Sequence, residues 1–243
     1  MKKFTAVLIA VVGMTISTQA QSWWNSKRVK GNGTIITKNR TVGSFDKVSL
    51  AASFDVKLIK GKEGAISIKG EENIIPLVET EVRGNTLKIK FKNNVNISTT
   101  RKLTVTVAFE NIEGISLGGS GNIYAEDPIK TPSISFNVGG SGNIKAKVIA
   151  TNVKTNIGGS GNIRLSGKTE KLKSNIAGSG SIRAYDLKAS SLKASIAGSG
   201  NIKASVSTKI KASVVGSGNI YYKGEPKYVD IDSLGSGDVI KAN

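Results

Sequence analysis

Apolar and polar residues alternate along the second half of the chain, and one triplet punctuates the alternation. Leu192, Ala194 and Ile196 alternate with Lys193 and Ser195. Leu172, Ser174 and Ile176 alternate with Lys173 and Asn175, and Val153, Thr155 and Ile157 with Lys154 and Asn156. Period two predicts half-buried strands. Each such segment runs into Gly-Ser-Gly, then a polar residue, then Ile or Val. The serines of the seven copies are Ser120, Ser141, Ser160, Ser179, Ser199, Ser217 and Ser236, spaced 21, 19, 19, 20, 18 and 19 residues apart. The polar position holds Asn122, Asn143, Asn162, Ser181, Asn201, Asn219 and Asp238. Next come Ile123, Ile144, Ile163, Ile182, Ile202, Ile220 and Val239.

The predicted unit is a strand, a Gly-Ser-Gly corner, a second short strand and a return turn. Nothing in it has helical period, and it is too short to hold a crossover helix. A β unit of this size cannot bury its own apolar face, but stacked units can. The sequence therefore predicts an all-β, single-domain parallel β-solenoid with coils of about 19 residues, each about 4.8 Å above the last. Equivalent residues then form columns. The isoleucines fill the core, and the asparagines exchange amide hydrogen bonds from coil to coil. Glycine serves the corners through positive φ or close backbone approach.

The first half follows the theme less strictly. Leu50-Ala51-Ala52-Ser53-Phe54-Asp55-Val56 aligns with Leu117-Gly118-Gly119-Ser120-Gly121-Asn122-Ile123 as a degenerate eighth copy. Further strands are expected at 65–69, 86–92 and 103–108, with a short helix or turn between Glu71 and Glu79 around Pro76. One continuous parallel solenoid is expected from about residue 45 to the C-terminus.

Phe45-Asp46-Lys47-Val48, Phe54-Asp55-Val56 and Glu72-Asn73-Ile74-Ile75-Pro76-Leu77-Val78-Glu79-Thr80-Glu81-Val82 resemble the "putative auto-transporter adhesin, head GIN domain" family. So do the Gly-Ser-Gly-Asn-Ile repeats. The resemblance covers roughly 45–243. It implies a secreted or cell-envelope bacterial protein with a right-handed parallel β-helix fold, acting as an adhesin-like module. An autotransporter also needs a C-terminal barrel of long amphipathic strands. Four residues follow Val239, so that half of the family's description is not expected to apply to this chain.

Residues 1–20 read as a signal peptide. Lys2 and Lys3 form its basic start, Phe4 to Ile16 its apolar stretch, and Thr18-Gln19-Ala20 its cleavage site. No cysteine follows to carry a lipid, and no second apolar stretch follows to span a bilayer. The expected organisation is 1–20 signal peptide, 21–44 N-terminal leader and first strand, and 45–243 solenoid domain. Export to the periplasm, the outer surface or the medium follows. Trp23 and Trp24, just past the cleavage site, could anchor a surface, but the expectation is that they cover the first coil or lie in a flexible leader.

The chain has no histidine and no cysteine. That removes disulfides, His- or Cys-based zinc sites, and Ser-His-Asp or Cys-His catalysis. Gly-Ser-Gly is not a dinucleotide fingerprint, because Tyr124 or Lys145 stands where the third glycine belongs and no helix follows. Calcium β-rolls repeat every nine residues and use Asp where this chain has Asn, apart from Asp238. No cofactor and no metal are expected. A rival reading is a carbohydrate-active β-helix enzyme, a lyase or hydrolase, which needs converging carboxylates. Asp230 and Asp232 share one strand face and Glu126-Asp127 sit in a turn, and both pairs read as solvated surface.

Charge adds a positive indication. The net charge is +18, or +16 without Lys2 and Lys3. Lys154, Lys173, Lys193 and Lys211 occupy one outward position in successive coils, and Lys145, Arg164, Arg183 and Lys203 occupy another. Like charges one coil apart repel by about 1 kcal/mol per pair in water. Such columns point to an anionic partner, an acidic polysaccharide or lipopolysaccharide, rather than a specific nucleic acid. The competing explanation is solubility, since lysine protects β surfaces from edge pairing. Whether the two ladders share a face is open at this level. The reading is a non-enzymatic binding or structural module.

Overall fold

The computed structural model describes residues 27–242. The signal peptide expected at 1–20 and the residues Trp23-Trp24 lie outside the described residues. Seventeen strands join in one sheet that curls into a solenoid of about seven turns.

In the second half each turn is one almost unbroken strand: Asn143–Ile157, Asn162–Gly178, Ser181–Gly198 and Asn201–Gly216. Each pairs in parallel with the next. The expected return turn is therefore not a loop, because sheet hydrogen bonding runs through it. The bend lies where the in-out alternation loses phase. Ile163, Leu165 and Thr169 are buried, Glu170 and Lys171 are both exposed, and Leu172, Ser174 and Ile176 are buried again. Two successive outward residues turn the chain. Every turn thus has a leading wall after the triplet (162–169 here) and a trailing wall before the next one (171–177).

The columns stack as the repeat predicts. Val56, Ile123, Ile144, Ile163, Ile182, Ile202 and Ile220 are direct partners in one line, and none is more than 1% exposed. Each buried isoleucine contributes about 1.5–3 kcal/mol of transfer free energy. Polar residues that face the same interior are hydrogen-bonded: Thr155 Oγ1 donates to Ser174 Oγ at 2.8 Å, and Thr169 Oγ1 to the Thr151 carbonyl at 3.1 Å. The asparagine ladder is also present. Asn122 Nδ2 donates to Asp55 Oδ1 at 2.8 Å, Asn143 to Asn122 at 2.7 Å and Asn162 to Asn143 at 2.8 Å. A second ladder, not anticipated, climbs the trailing wall, with Asn156 donating to Asn137 and Asn175 to Asn156.

Both glycines of the triplets are needed for space, and in the later turns the first is needed for its backbone conformation as well. Gly178, Gly198 and Gly216 hold φ of +138°, +132° and +121°. A Cβ on any of these three would also lie 2.5–2.6 Å from a carbonyl oxygen of the turn below, whereas the closing glycine is needed for space alone. A Cβ on Gly161 would overlap the Gly142 carbonyl oxygen of the turn below.

The N-terminal end corrects the expectation of one continuous parallel solenoid from residue 45. The degenerate copy does sit in register, with Leu50 opposite Leu117 and Val56 opposite Ile123. The strands Thr86–Phe91 and Thr104–Phe109, however, stack on its other side. The turn formed by 47–60 is thus sandwiched between one that follows it in sequence and another that also follows it. Around these, Ile35–Thr41 with Ala65–Glu71, Ala65–Glu71 with Thr104–Phe109, and Val78–Arg83 with Thr86–Phe91 pair antiparallel. The predicted strands at 65–69, 86–92 and 103–108 all exist, and Ile75–Leu77 is a single 3₁₀ turn at Pro76.

Glu71 fastens this end. It is 1% exposed, and its carboxylate accepts from Gly33 N at 2.8 Å, Thr100 Oγ1 at 2.7 Å, Thr100 N at 2.9 Å and Arg101 N at 3.3 Å. The Thr100 hydroxyl foremost, with the three amides, outweighs burial and holds Glu71 at a pKa of about 2. One carboxylate thereby ties the 31–34 segment and the 99–101 segment to the strand Ala65–Glu71.

Candidate functional site

A parallel solenoid converts a repeated residue into a surface column, so the basic positions are where a site can form. Lys154, Lys173, Lys193 and Lys211 are consecutive Cα partners on the trailing wall. All four are exposed. Lys145, Arg164, Arg183 and Lys203 are likewise consecutive partners, but on the leading wall. The Gly-Ser-Gly corner separates the two ladders. The serines Ser120, Ser141, Ser160, Ser179, Ser199, Ser217 and Ser236 form an exposed column along that corner, above the buried closing glycines.

The trailing wall carries a groove of about 540 Å³. Lys154, Lys173, Lys193 and Lys211 line it together with Lys171 and Lys209. Val153, Leu172 and Leu192 form its floor and are each 2% exposed, so lysine stems make up much of its accessible apolar surface. Lys171 and Lys209 were not among the predicted site residues. Their signal was present, since each stands two positions before a ladder lysine and therefore on the same face of the same strand. The sequence pattern alone left that column inconspicuous, because Asn152 and Ser191 interrupt it.

The groove is closed at one end by a carboxylate. Asp230 is the next partner above Lys211, and the two are 2.6 Å apart. Their mutual hydrogen bond raises the lysine pKa and lowers that of the aspartate. Both side chains are more than half exposed, so the pair is a weak contributor to stability. Asp232, predicted to share a face with Asp230, lies beside Ser213 one column along.

On the leading wall the basic column is more heavily engaged. Arg164 Nη2 lies 3.5 Å from Asp186, and Lys57, in line below Tyr124, pairs with Glu126 at 3.0 Å. The Lys203 ammonium sits 5.5 Å from the Tyr221 ring centre and 6.0 Å from that of Tyr185. The Lys223 ammonium lies 5.3 Å from the Tyr185 ring centre. A further basic depression, of about 660 Å³, lies at the bend between the walls, where Lys168, Lys188 and Lys223 meet Glu225.

Acidic chemistry is dispersed. Asp127 Oδ2 accepts from Lys60 N at 2.8 Å while Glu126 pairs with Lys57. Among the described residues no three acidic side chains converge. No helix among them is long and apolar enough to cross a membrane.

The architecture is that of a repeat protein presenting columns of side chains on flat walls, with grooves rather than an enclosed cleft. The chain belongs to the family described as "putative auto-transporter adhesin, head GIN domain", which matches residues 44–226. A putative adhesin from Bacteroides fragilis is 25% identical, with a TM-score of 0.84 over 88% of this chain and 100% of that one. A putative lipid binding protein from Parabacteroides distasonis is 27% identical, with a TM-score of 0.72 over 89% of this chain and 100% of that one. A putative adhesin from Parabacteroides merdae shares the fold at 24% identity and a TM-score of 0.70, over 89% of this chain and 100% of that one. No curated protein matches the chain in sequence.

Proposed function

We propose that this chain is an exported, non-enzymatic binding module, adhesin-like, whose trailing wall engages an anionic polymer of a cell surface. The observation that carries the reading is the groove in which six lysines stand within one lined depression, with acidic neighbours, Asp230 and Asp232, near Lys211 at its end. A solenoid holds those charges on a rigid sheet. Polymer binding therefore loses little protein entropy, and each lysine supplies one point contact. The leader at 1–20 would deliver the module to the periplasm, the outer surface or the medium. Acidic polysaccharide and lipopolysaccharide both present repeated anions. The putative lipid binding protein among the similar structures adds weight to testing the second.

Retention on heparin and on immobilised lipopolysaccharide, wild type against a variant with Lys154, Lys173, Lys193 and Lys211 replaced by Gln, tests the proposal. The wild type elutes at clearly higher salt, as release of many weak charge contacts requires. The same elution for both proteins would reduce these lysines to a solubilising role.

A further inference from the structure

The asparagine ladder of the leading wall has one missing rung. From Asp55 through Asn122 and Asn143 to Asn162, each amide donates to the side chain below. The next position is Ser181, too short to reach either neighbour, and no hydrogen bond joins it to Asn162 or Asn201 among the described residues. Above the gap the pattern changes. Asn201 Oδ1 accepts from Asn219 N at 3.3 Å, which leaves the Asn201 Nδ2 protons unused by the ladder. Asparagine occupies the position in the turns on both sides, so serine here removes one amide's volume from an otherwise filled column.

The gap opens into a pocket of about 250 Å³, lined by Ser181, Ile182, Arg183, Asn201, Lys203 and Tyr221. It is smaller than the roughly 300–1,000 Å³ of a pocket for a drug-sized ligand, and suits a single ring. Its polar groups are of two kinds. Ser181 and Asn201 offer a hydroxyl and an amide, which match sugar hydroxyls. Arg183 and Lys203 offer positive charge. Arg183 is exposed and, among the described residues, has no carboxylate within ion-pair distance. Its planar fork matches a carboxylate through two parallel hydrogen bonds. Lys203 is half-buried, with its ammonium held between the rings of Tyr185 and Tyr221. Tyr221 gives the pocket an aromatic wall against which C–H groups of a sugar can rest.

We propose that the gap at Ser181 is a subsite for one acidic sugar residue, a uronic acid unit within a glycan. The carboxylate is bound by Arg183 with Lys203 beside it, and ring hydroxyls by Ser181 and Asn201. The site is on the leading wall, so it stands independently of the lysine groove on the trailing wall.

Calorimetric titration with trigalacturonate, and with neutral maltotriose as control, tests this. Ser181→Asn is the decisive variant. It restores the missing rung and sets a longer amide where the ring hydroxyls would meet Ser181, so it should melt no lower than wild type while weakening trigalacturonate binding by about tenfold or more. Arg183→Gln, at an exposed position, should lose a similar amount with the fold intact. The four-lysine variant of the trailing wall should bind trigalacturonate as wild type does, even though its heparin retention falls. Unchanged binding by Ser181→Asn overturns the proposal, as does equal affinity for maltotriose or no binding of trigalacturonate by the wild type. Loss in the four-lysine variant with retention in Ser181→Asn would move the sugar contact to the groove.

Discussion

Two glycines three residues apart, Gly158 and Gly161, should respond oppositely to alanine. A Cβ on Gly161 would run into the Gly142 carbonyl oxygen, and lies 2.6 Å from Val138 Cγ1. The first obstacle is backbone belonging to the turn below, which is itself hydrogen-bonded: Gly142 O accepts from Asn162 N at 3.0 Å. Relief therefore requires two turns to separate at the corner. Overpacking of a core costs about 1–3 kcal/mol, and rigid backbone at the contact places Gly161→Ala toward the top of that range. A Cβ on Gly158 meets nothing within 4 Å, and its φ is not in the left-handed region. Alanine there reduces the freedom of the unfolded chain and should stabilise by up to about 1 kcal/mol. For a chain of this size 1 kcal/mol shifts Tm by about 2–4 °C. Thermal melts should thus place Gly161→Ala about 6–10 °C below wild type and Gly158→Ala level with it or slightly above. Urea unfolding followed by circular dichroism should give the same order. Equal melting temperatures for the two variants would refute the assignment of the closing glycine to close approach between turns.

Other outcomes follow from the same geometry. Ile163→Asp should cost several kcal/mol, because it sets a carboxylate in a column where its neighbours are at most 1% exposed, whereas Lys173→Ala should cost about 0.5 kcal/mol or less; equal melting shifts would contradict the assigned faces. Glu71 has a pKa lowered from 4.5 to about 2, so its contribution is fully present above pH 4.5 and is lost as the pH falls through 2. The stability gap between wild type and Glu71→Gln, measured by urea midpoints, should therefore be constant above pH 5 and narrow steadily between pH 4.5 and 2; a gap unaffected by acid would refute the latch. Asp230→Asn removes the carboxylate paired with Lys211 and should move elution from heparin to higher salt, and elution at lower salt would count against the groove as the binding surface.

What the chain's own repetition determines is the register. A near-constant spacing of 18 to 21 residues leaves one way to superpose successive turns that keeps every isoleucine inside, because a slip of one residue would expose the whole column. The isoleucine core, the asparagine ladder and both basic ladders were legible for that reason. So was the pairing of Leu50 with Leu117 and Val56 with Ile123, despite the loss of both glycines from that copy. Residues 61–110 carry no such repeat. Their strands could be located from alternation, but alternation says which residues face inward and not which strand lies alongside. The stacking of Thr86–Phe91 and Thr104–Phe109 beneath an earlier turn, and the antiparallel pairs around them, depended on long-range packing. The functional surface divides the same way. Position within the repeat places each ladder, but the corner angle separates the two onto different walls. Only stacking brings Lys171 and Lys209, from turns that are not adjacent, into one groove, and only stacking gathers Ser181, Arg183, Asn201, Lys203 and Tyr221 around one pocket. Both sites join segments about 18 to 20 positions apart in sequence, and no local pattern records the space between them.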